Sequence, residues 1–162
     1  MSAFDPVRAL QVLFDHGVQF VVIGGVAGAT HGSPSVTQDL DICYARSPEN
    51  LERLCTALDS IHAVLRGVED DVPFLLEPET LETGDHFTFS TDLGDLDCLG
   101  IPAGTLGYDD LVNGAVDVDL DGLVVAAASL DDLIRMKRSA GRPRDLAELE
   151  ILGAVREESS GD

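Results

Sequence analysis

Tryptophan is missing from this 162-residue chain, and aromatic residues make up only 5% of it. With 44% hydrophobic residues the chain still buries a core, but one built from Leu, Val, Ile and Ala. No apolar run reaches the roughly 18 residues of a membrane-crossing helix. The opening MSAFDPVRAL lacks a basic start followed by an apolar stretch, so no secretory leader is expected. Cysteine is scarce as well. Cys43, Cys55 and Cys98 are odd in number and lack CxxC spacing, which argues against a disulfide framework or a thiolate zinc site. Cys43 and Cys98 fall in apolar, strand-like runs and read as packing thiols. A cytoplasmic compartment is expected.

Positive charge is the other shortage. Ten Lys and Arg face thirty Asp and Glu, for a net charge of -20. Such a surface opposes non-specific adhesion to nucleic acid or anionic membranes. Half of the basic residues fall in one acid-free window: Arg135, Lys137, Arg138, Arg142 and Arg144, with Lys137 the single lysine of the chain. A basic island in an acidic exterior suits a small anionic ligand better than a long nucleic-acid track.

Hydrophobic periodicity predicts an α/β (α+β) domain, a small mixed β-sheet flanked by helices. Residues 6–17 read as a helix, 19–23 as a short buried strand, and a short helix opens at Gly25 and ends near His31-Gly32. Leu40, Ile42 and Tyr44 alternate with Asp39, Asp41 and Cys43 as in a strand. Pro48–Ser60 predicts a helix, and 61–84 is mostly irregular with a short helix near 78–82. HFTFSTD (86–92) and DLDCLG (95–100) read as paired strands. A short helix covers Tyr108–Asn113, and two strands flank the turn Asp121-Gly122. Ser129 caps a helix over 130–139, and Pro143 opens a last helix to about 156. The expected organisation is one domain over 1–156 with a disordered tail at 157–162.

Two stretches carry chemistry. Gly24-Gly25 follows a strand and precedes a helix, where free backbone N–H groups make an anion site. A dinucleotide fingerprint requires G-x-G-x-x-G, and here the register gives Ile23, Gly25 and Gly28. The first glycine is absent, and no Gly-Lys-Ser/Thr follows, which removes a P-loop. Asp39 and Asp41, two apart on a strand, project to one face roughly 6.5–7 Å apart. Two carboxylates so placed repel unless a cation neutralises them, and hard oxygen ligands suit Mg²⁺. Asp97, between Leu96 and Cys98, has the same apolar-acid-apolar context and is a third acid within reach. Asp95 reads as a turn acid. The null alternatives are a structural glycine turn, a solvated D-x-D, and basics that complement the end of helix 130–139.

Gly24-Gly25 followed by Thr37-Gln38-Asp39-Leu40-Asp41 resembles the G-G/S…T-x-D-x-D signature of the DNA polymerase β-like nucleotidyltransferase superfamily. Within it the chain resembles the small prokaryotic members related to minimal nucleotidyltransferases and AbiEii-type toxins. The stretch from Leu133 to Asp145 is similar to the L-x-x-x-K…G-R-x-K-D segment that closes their catalytic core. The resemblance spans about residues 18–150. It implies that Gly24 and Gly25 hold a nucleoside triphosphate and that Asp39, Asp41 and Asp97 are catalytic and metal-binding acids for two Mg²⁺ ions. Lys137, Arg138 and Arg142 would face the nucleotide, with Thr37 close by. Asp145 matches the terminal acid.

Two positions depart from the pattern. Gly25 stands where Ser is frequent, and Gln38 where a basic residue is frequent; both withdraw electrostatic support from a triphosphate. The expected activity is transfer of a nucleoside monophosphate to a hydroxyl of a tRNA 3′ end, a protein or a small molecule. The toxin–antitoxin setting would add an antitoxin partner, and a dimer could complete the site. The alternative is a catalytically silent module that binds nucleotide or protein. His31, Ser33 and Ser35 are weaker site candidates, and His86 reads as surface or packing.

Overall fold

A computed structural model describes residues 3–67 and 74–160. The middle of the expected irregular segment (68–73) and the end of the expected tail (161–162) lie outside the described residues. Seven helices and seven strands follow in the order α1 (Pro6–Asp15), β1 (Phe20–Ile23), α2 (Gly24–Thr30), β2 (Asp39–Tyr44), α3 (Pro48–Ser60), β3 (Val64–Leu65), α4 (Pro78–Thr83), β4 (His86–Thr91), β5 (Gly94–Leu99), α5 (Tyr108–Gly114), β6 (Val116–Leu120), β7 (Leu123–Ala127), α6 (Leu130–Ala140) and α7 (Pro143–Ser160). The strands form one mixed sheet ordered β3-β4-β5-β2-β1-β7-β6.

Local chemistry sets most of the boundaries. Asp5, Ser47 and Ser129 each cap a helix by accepting from the N–H three residues on, and Pro6 and Pro48 sit in first turns. Asp121 and Gly122, both at positive φ, turn β6 into β7. Gly141 ends α6 in the left-handed conformation. Two expectations change. The segment after α3 contributes a two-residue edge strand, β3, because Val64 and Leu65 pair with Ser90 and Phe89. Helix α7 runs to Ser160, past the expected end at 156, with Val155 buried and the Ser159 hydroxyl donating to the Val155 carbonyl.

The centre of the sheet places the acids. β2 runs antiparallel to β1 and parallel to β5, which puts Asp41 beside both Ile23 and Asp97, and Asp39 beside Asp95. Leu40, Ile42, Leu96 and Cys98 alternate with these acids and are fully buried. Phe74, Phe87 and Phe89 cluster with ring centres 6.2–6.3 Å apart.

Asn50, buried in the first turn of α3, ties the entrance of β1 to the exit of β2. Its Oδ1 accepts from the Gln19 N–H at 2.6 Å, and its Nδ2 donates to the carbonyls of Gln19 and Ala45 at 3.0 and 2.7 Å. Replacing it removes the partner of the Gln19 N–H and of the Ala45 carbonyl, while the Gln19 carbonyl keeps the Ala45 N–H. Asn50→Ala is expected to cost about 2–3 kcal/mol, read from the urea midpoint at unchanged slope.

Candidate active site

One cleft of about 620 Å³ gathers Gly24, Gly25, Thr37, Asp39, Asp41, Asp97, Lys137, Arg142 and Asp145. Its acid wall is the row laid out by the β2–β5 register. Burial pushes the Asp41 carboxyl up to about 7, helped by the charge of Asp97, hydrogen bonding to it and the charge of Asp39, against the pull of Lys137. Asp39 is also raised, first by burial and then by Asp97. Among the described residues no three carboxylate, imidazole or thiolate groups already surround a common point at metal-ligand spacing. The acids form a row rather than a cage, and Asp97 Oδ1 accepts from Arg66 Nη2 at 2.8 Å.

The two glycines are where they are for lack of room. Gly24 has φ +69°, and a Cβ on it would lie 2.0 Å from the Asp41 Oδ2. A Cβ on Gly25 would lie 2.7 Å from the Thr37 Cβ and 2.8 Å from its Oγ1. The Thr37 hydroxyl thus stands where a side chain at position 25 would reach, which accounts for glycine in place of serine. That hydroxyl donates to the Asp39 carbonyl at 3.0 Å and so also fixes the start of β2.

The basic wall comes from α6 and the start of α7. Leu133, Met136, Lys137 and Ala140 recur at helical spacing and line the cleft. Ile134 and Arg138, on the next face, line a separate depression with Leu149 and Gly153. The structure therefore does not bring Arg138 together with the other expected nucleotide contacts. Asp145 is fully buried. Its carboxylate receives Lys137 Nζ at 3.3 Å, Arg142 Nε at 2.6 Å and the Arg142 N–H at 3.1 Å. Burial alone would raise this carboxyl; the hydrogen bonds from Arg142 and Lys137 outweigh it and hold the group down to about 2. The acid thereby aims the single lysine.

Other placements differ in kind. His31 bonds the Ala128 carbonyl through Nε2 at 2.9 Å, tying α2 to the start of α6. Ser35 donates to Glu148 at 2.9 Å, Ser33 is buried, and His86 joins Asp85 in the lining of the cleft. The thiols are not part of it: burial lifts Cys43 to about 12 and Cys98 well above the usual range. Sequence reasoning missed Arg66, for which no spacing signal exists, and Arg144, which lines the cleft, pulls Asp39 down, and sat in the noted basic island.

No family model and no curated protein matches this sequence. Solved structures do. The chain superposes on the lincosamide antibiotic adenylyltransferase LnuA, crystallised with lincomycin bound, with TM-score 0.62 over 92% of this chain and 94% of that one, at 11% identity. The fold is that of the nucleotidyltransferases. A Thermotoga maritima protein provisionally named a nucleotidyltransferase shares this fold, with TM-score 0.53 at 15% identity over 99% of this chain and 98% of its own. The antibiotic-resistance factor ANT(2'')-Ia matches with TM-score 0.55 at 13% identity, over 96% and 89%. At these identities the likeness is one of fold.

Two outcomes follow from this geometry. The folded protein keeps a proton on Asp41 up to about pH 7, while the unfolded chain releases it near 3.8. The folded state binds the extra proton between these values, so without metal the protein loses stability as pH rises through that window. Asp145 acts in the opposite sense, its contribution being lost only as pH falls from 3.8 towards about 2. Asp41→Asn is expected to flatten the slope between pH 4 and 7 and to raise the melting temperature at pH 8 in chelator; an unchanged slope assigns the proton elsewhere. Gly24→Ala is expected to cost at least about 1–2 kcal/mol from its backbone angle alone. In a double-mutant cycle the loss shrinks in an Asp41→Ala background, where the clashing carboxylate is gone.

Proposed function

We propose that this protein is a nucleotidyltransferase that moves a nucleoside monophosphate from a nucleoside triphosphate to a hydroxyl. One observation carries the reading: within a nucleotidyltransferase fold, Asp39, Asp41 and Asp97 share a cleft with the Gly24-Gly25 turn and Lys137. Three oxygen-donor side chains whose charges are held back by one another are a fit for Mg²⁺, and the Asp41 carboxyl at about 7 marks the uncompensated charge. Magnesium bound there would supply Lewis-acid charge to the triphosphate and to the attacking oxygen.

The chain's own groups do the rest. The Gly24-Gly25 turn lines the cleft beside the acid row, where its backbone would meet the triphosphate. Lys137 and Arg142, aimed by Asp145, neutralise phosphate oxygens; Arg144 adds charge at the rim. The acceptor oxygen bonds to the α-phosphorus, the bond from that phosphorus to the β-bridging oxygen breaks, and pyrophosphate leaves. The hydroxyl proton passes to the Asp97 carboxylate, which acts as the base. Positioning and charge neutralisation supply the rate.

The acceptor we favour is a small molecule. A cleft of about 620 Å³ is of small-molecule size, and the net charge of -20 repels a large RNA footprint. LnuA, of which the chain covers 94%, is an adenylyltransferase crystallised with a small antibiotic. A tRNA end or a protein hydroxyl, the acceptors of a toxin held by an antitoxin, form the second class. The described residues contain no helix long and apolar enough to cross a membrane, which is compatible with the cytoplasmic reading. The Lys137–Asp145 pair and Gln38 favour one competing reading, a silent nucleotide-binding module.

The test is a labelling reaction with α-³²P nucleoside triphosphates, Mg²⁺ and a cell extract split into RNA, protein and small-molecule fractions. Wild type is expected to label the small-molecule fraction, and Asp39→Ala/Asp41→Ala to lose at least roughly 10³-fold of that signal, the scale of removing a main electrostatic element of a site. Mg²⁺-dependent nucleotide binding without transfer would establish the silent module. Label in RNA or protein would reassign the acceptor.

A further inference from the structure

Among the described residues, Arg66 is the cation in hydrogen-bond contact with the acid row. It leaves the edge strand β3 by one residue, and its N–H donates to the Thr88 carbonyl at 2.9 Å, which fixes its main chain to β4. The side chain then reaches along the sheet to β5. Nη2 meets Asp97 Oδ1 at 2.8 Å, while Nη1 divides between Asp95 Oδ2 and the Phe89 carbonyl, both at 3.2 Å. The planar fork of a guanidinium matches such a set of acceptors where an ammonium would not. Its side chain is 31% exposed, against 15% for Asp97, so the guanidinium is the more solvent-accessible partner.

Asp97 is therefore claimed twice. A divalent ion held by Asp41 would also engage its register partner Asp97, whose Oδ1 already accepts from Arg66. The guanidinium charge beside that carboxylate opposes a second cation at the row. We propose that Arg66 is an internal competitor for metal: held on Asp97 in the nucleotide-free protein, its charge weakens the grip of Asp39, Asp41 and Asp97 on a divalent ion. The inference rests on the nucleotidyltransferase reading of the same acids. Its consequence is coupling. A bare divalent ion meets that opposing charge with the acids alone, whereas a metal–triphosphate also gains the Gly24-Gly25 turn and Lys137. The site then loads metal with nucleotide rather than ahead of it.

The experiment measures Mn²⁺ binding by electron paramagnetic resonance of the free ion, alone and with a non-hydrolysable α,β-methylene triphosphate. Arg66→Gln is expected to bind Mn²⁺ at least about tenfold more tightly than wild type in the absence of nucleotide, the scale of one unit charge removed beside a partly exposed site. The difference should narrow with the triphosphate present. Arg8→Gln, which removes the same charge from an exposed position of α1, should bind like wild type. If Arg66→Gln does not fold by circular dichroism, Arg66→Lys carries the test, since it loses the fork and should tighten binding about threefold. Affinity for Mn²⁺ that is unchanged or weakened in the Arg66 variants overturns the proposal. Where that result accompanies binding abolished by Asp41→Asn, the acids are a metal site and only the role of Arg66 falls. Where no protein binds Mn²⁺ with or without nucleotide, the nucleotidyltransferase reading falls with it.

Discussion

The crowding of Asp41 and Asp97 on adjacent parallel strands is the constraint from which the rest of the site follows. Strands lie about 4.8 Å apart, and side chains in register point the same way. The pairing that buries Leu40 against Leu96 and Ile42 against Cys98 on one face brings Asp39, Asp41, Asp95 and Asp97 together on the other. A one-residue slip would relieve the repulsion and would also turn the apolar set outward. The fold keeps the register and answers the charge by other means: burial that favours a proton on Asp41, and Arg66 on Asp97. The Asp41 carboxylate in turn takes the place a Cβ would need at position 24, which is why glycine stands there.

The opposite wall solves the inverse problem. Lys137 and Arg142 would lean out into solvent on their long stems, or collapse onto the acid row. Asp145 prevents both. A fully buried carboxylate costs several kcal/mol to desolvate unless its lone pairs are filled, and here two cations and a main-chain N–H fill them. The result is a cleft with its negative wall on the sheet and its positive wall on α6 and α7. Such a cleft suits a metal–triphosphate, which presents a cation on one side and phosphate oxygens on the other. A ligand of single sign would leave one wall unanswered.

Much of this could be read from the sequence because the pattern is local. Period-two alternation gave β2 and its paired acids, and the apolar-acid-apolar context of Asp97 marked β5. The capping serine and the glycine stop bounded α6. What escaped depends on contacts between distant parts of the chain. Arg66 lies thirty-one residues from Asp97 in a stretch without periodicity, and only the pairing of β3 with β4 brings it near. The strand order, with β1 between β2 and β7, has no local signature either. Gly25 looked like a lost hydroxyl because the neighbour that supplies one, Thr37, meets it only after the chain folds back. Arg138 was within reach of a stricter reading: residues one apart on a helix point about 100° away from each other, so Lys137 and Arg138 cannot share a wall. The phase of Leu133, Met136 and Ala140 selects Lys137.

The overall acidity then bears on how the cleft can work. A field from twenty excess negative charges repels a triphosphate at long range, yet at physiological salt that field decays over about 8 Å. Attraction inside the cleft acts at contact distances and survives the screening. The basic island is consequently a short-range device, and its compactness matters more than its total charge. This is why the placement of a single lysine by a single buried acid carries so much of the electrostatic case. The acidity of the surface continues into the cleft, where Asp85 and Glu148 are part of the lining, so the positive charge there is confined to a few residues.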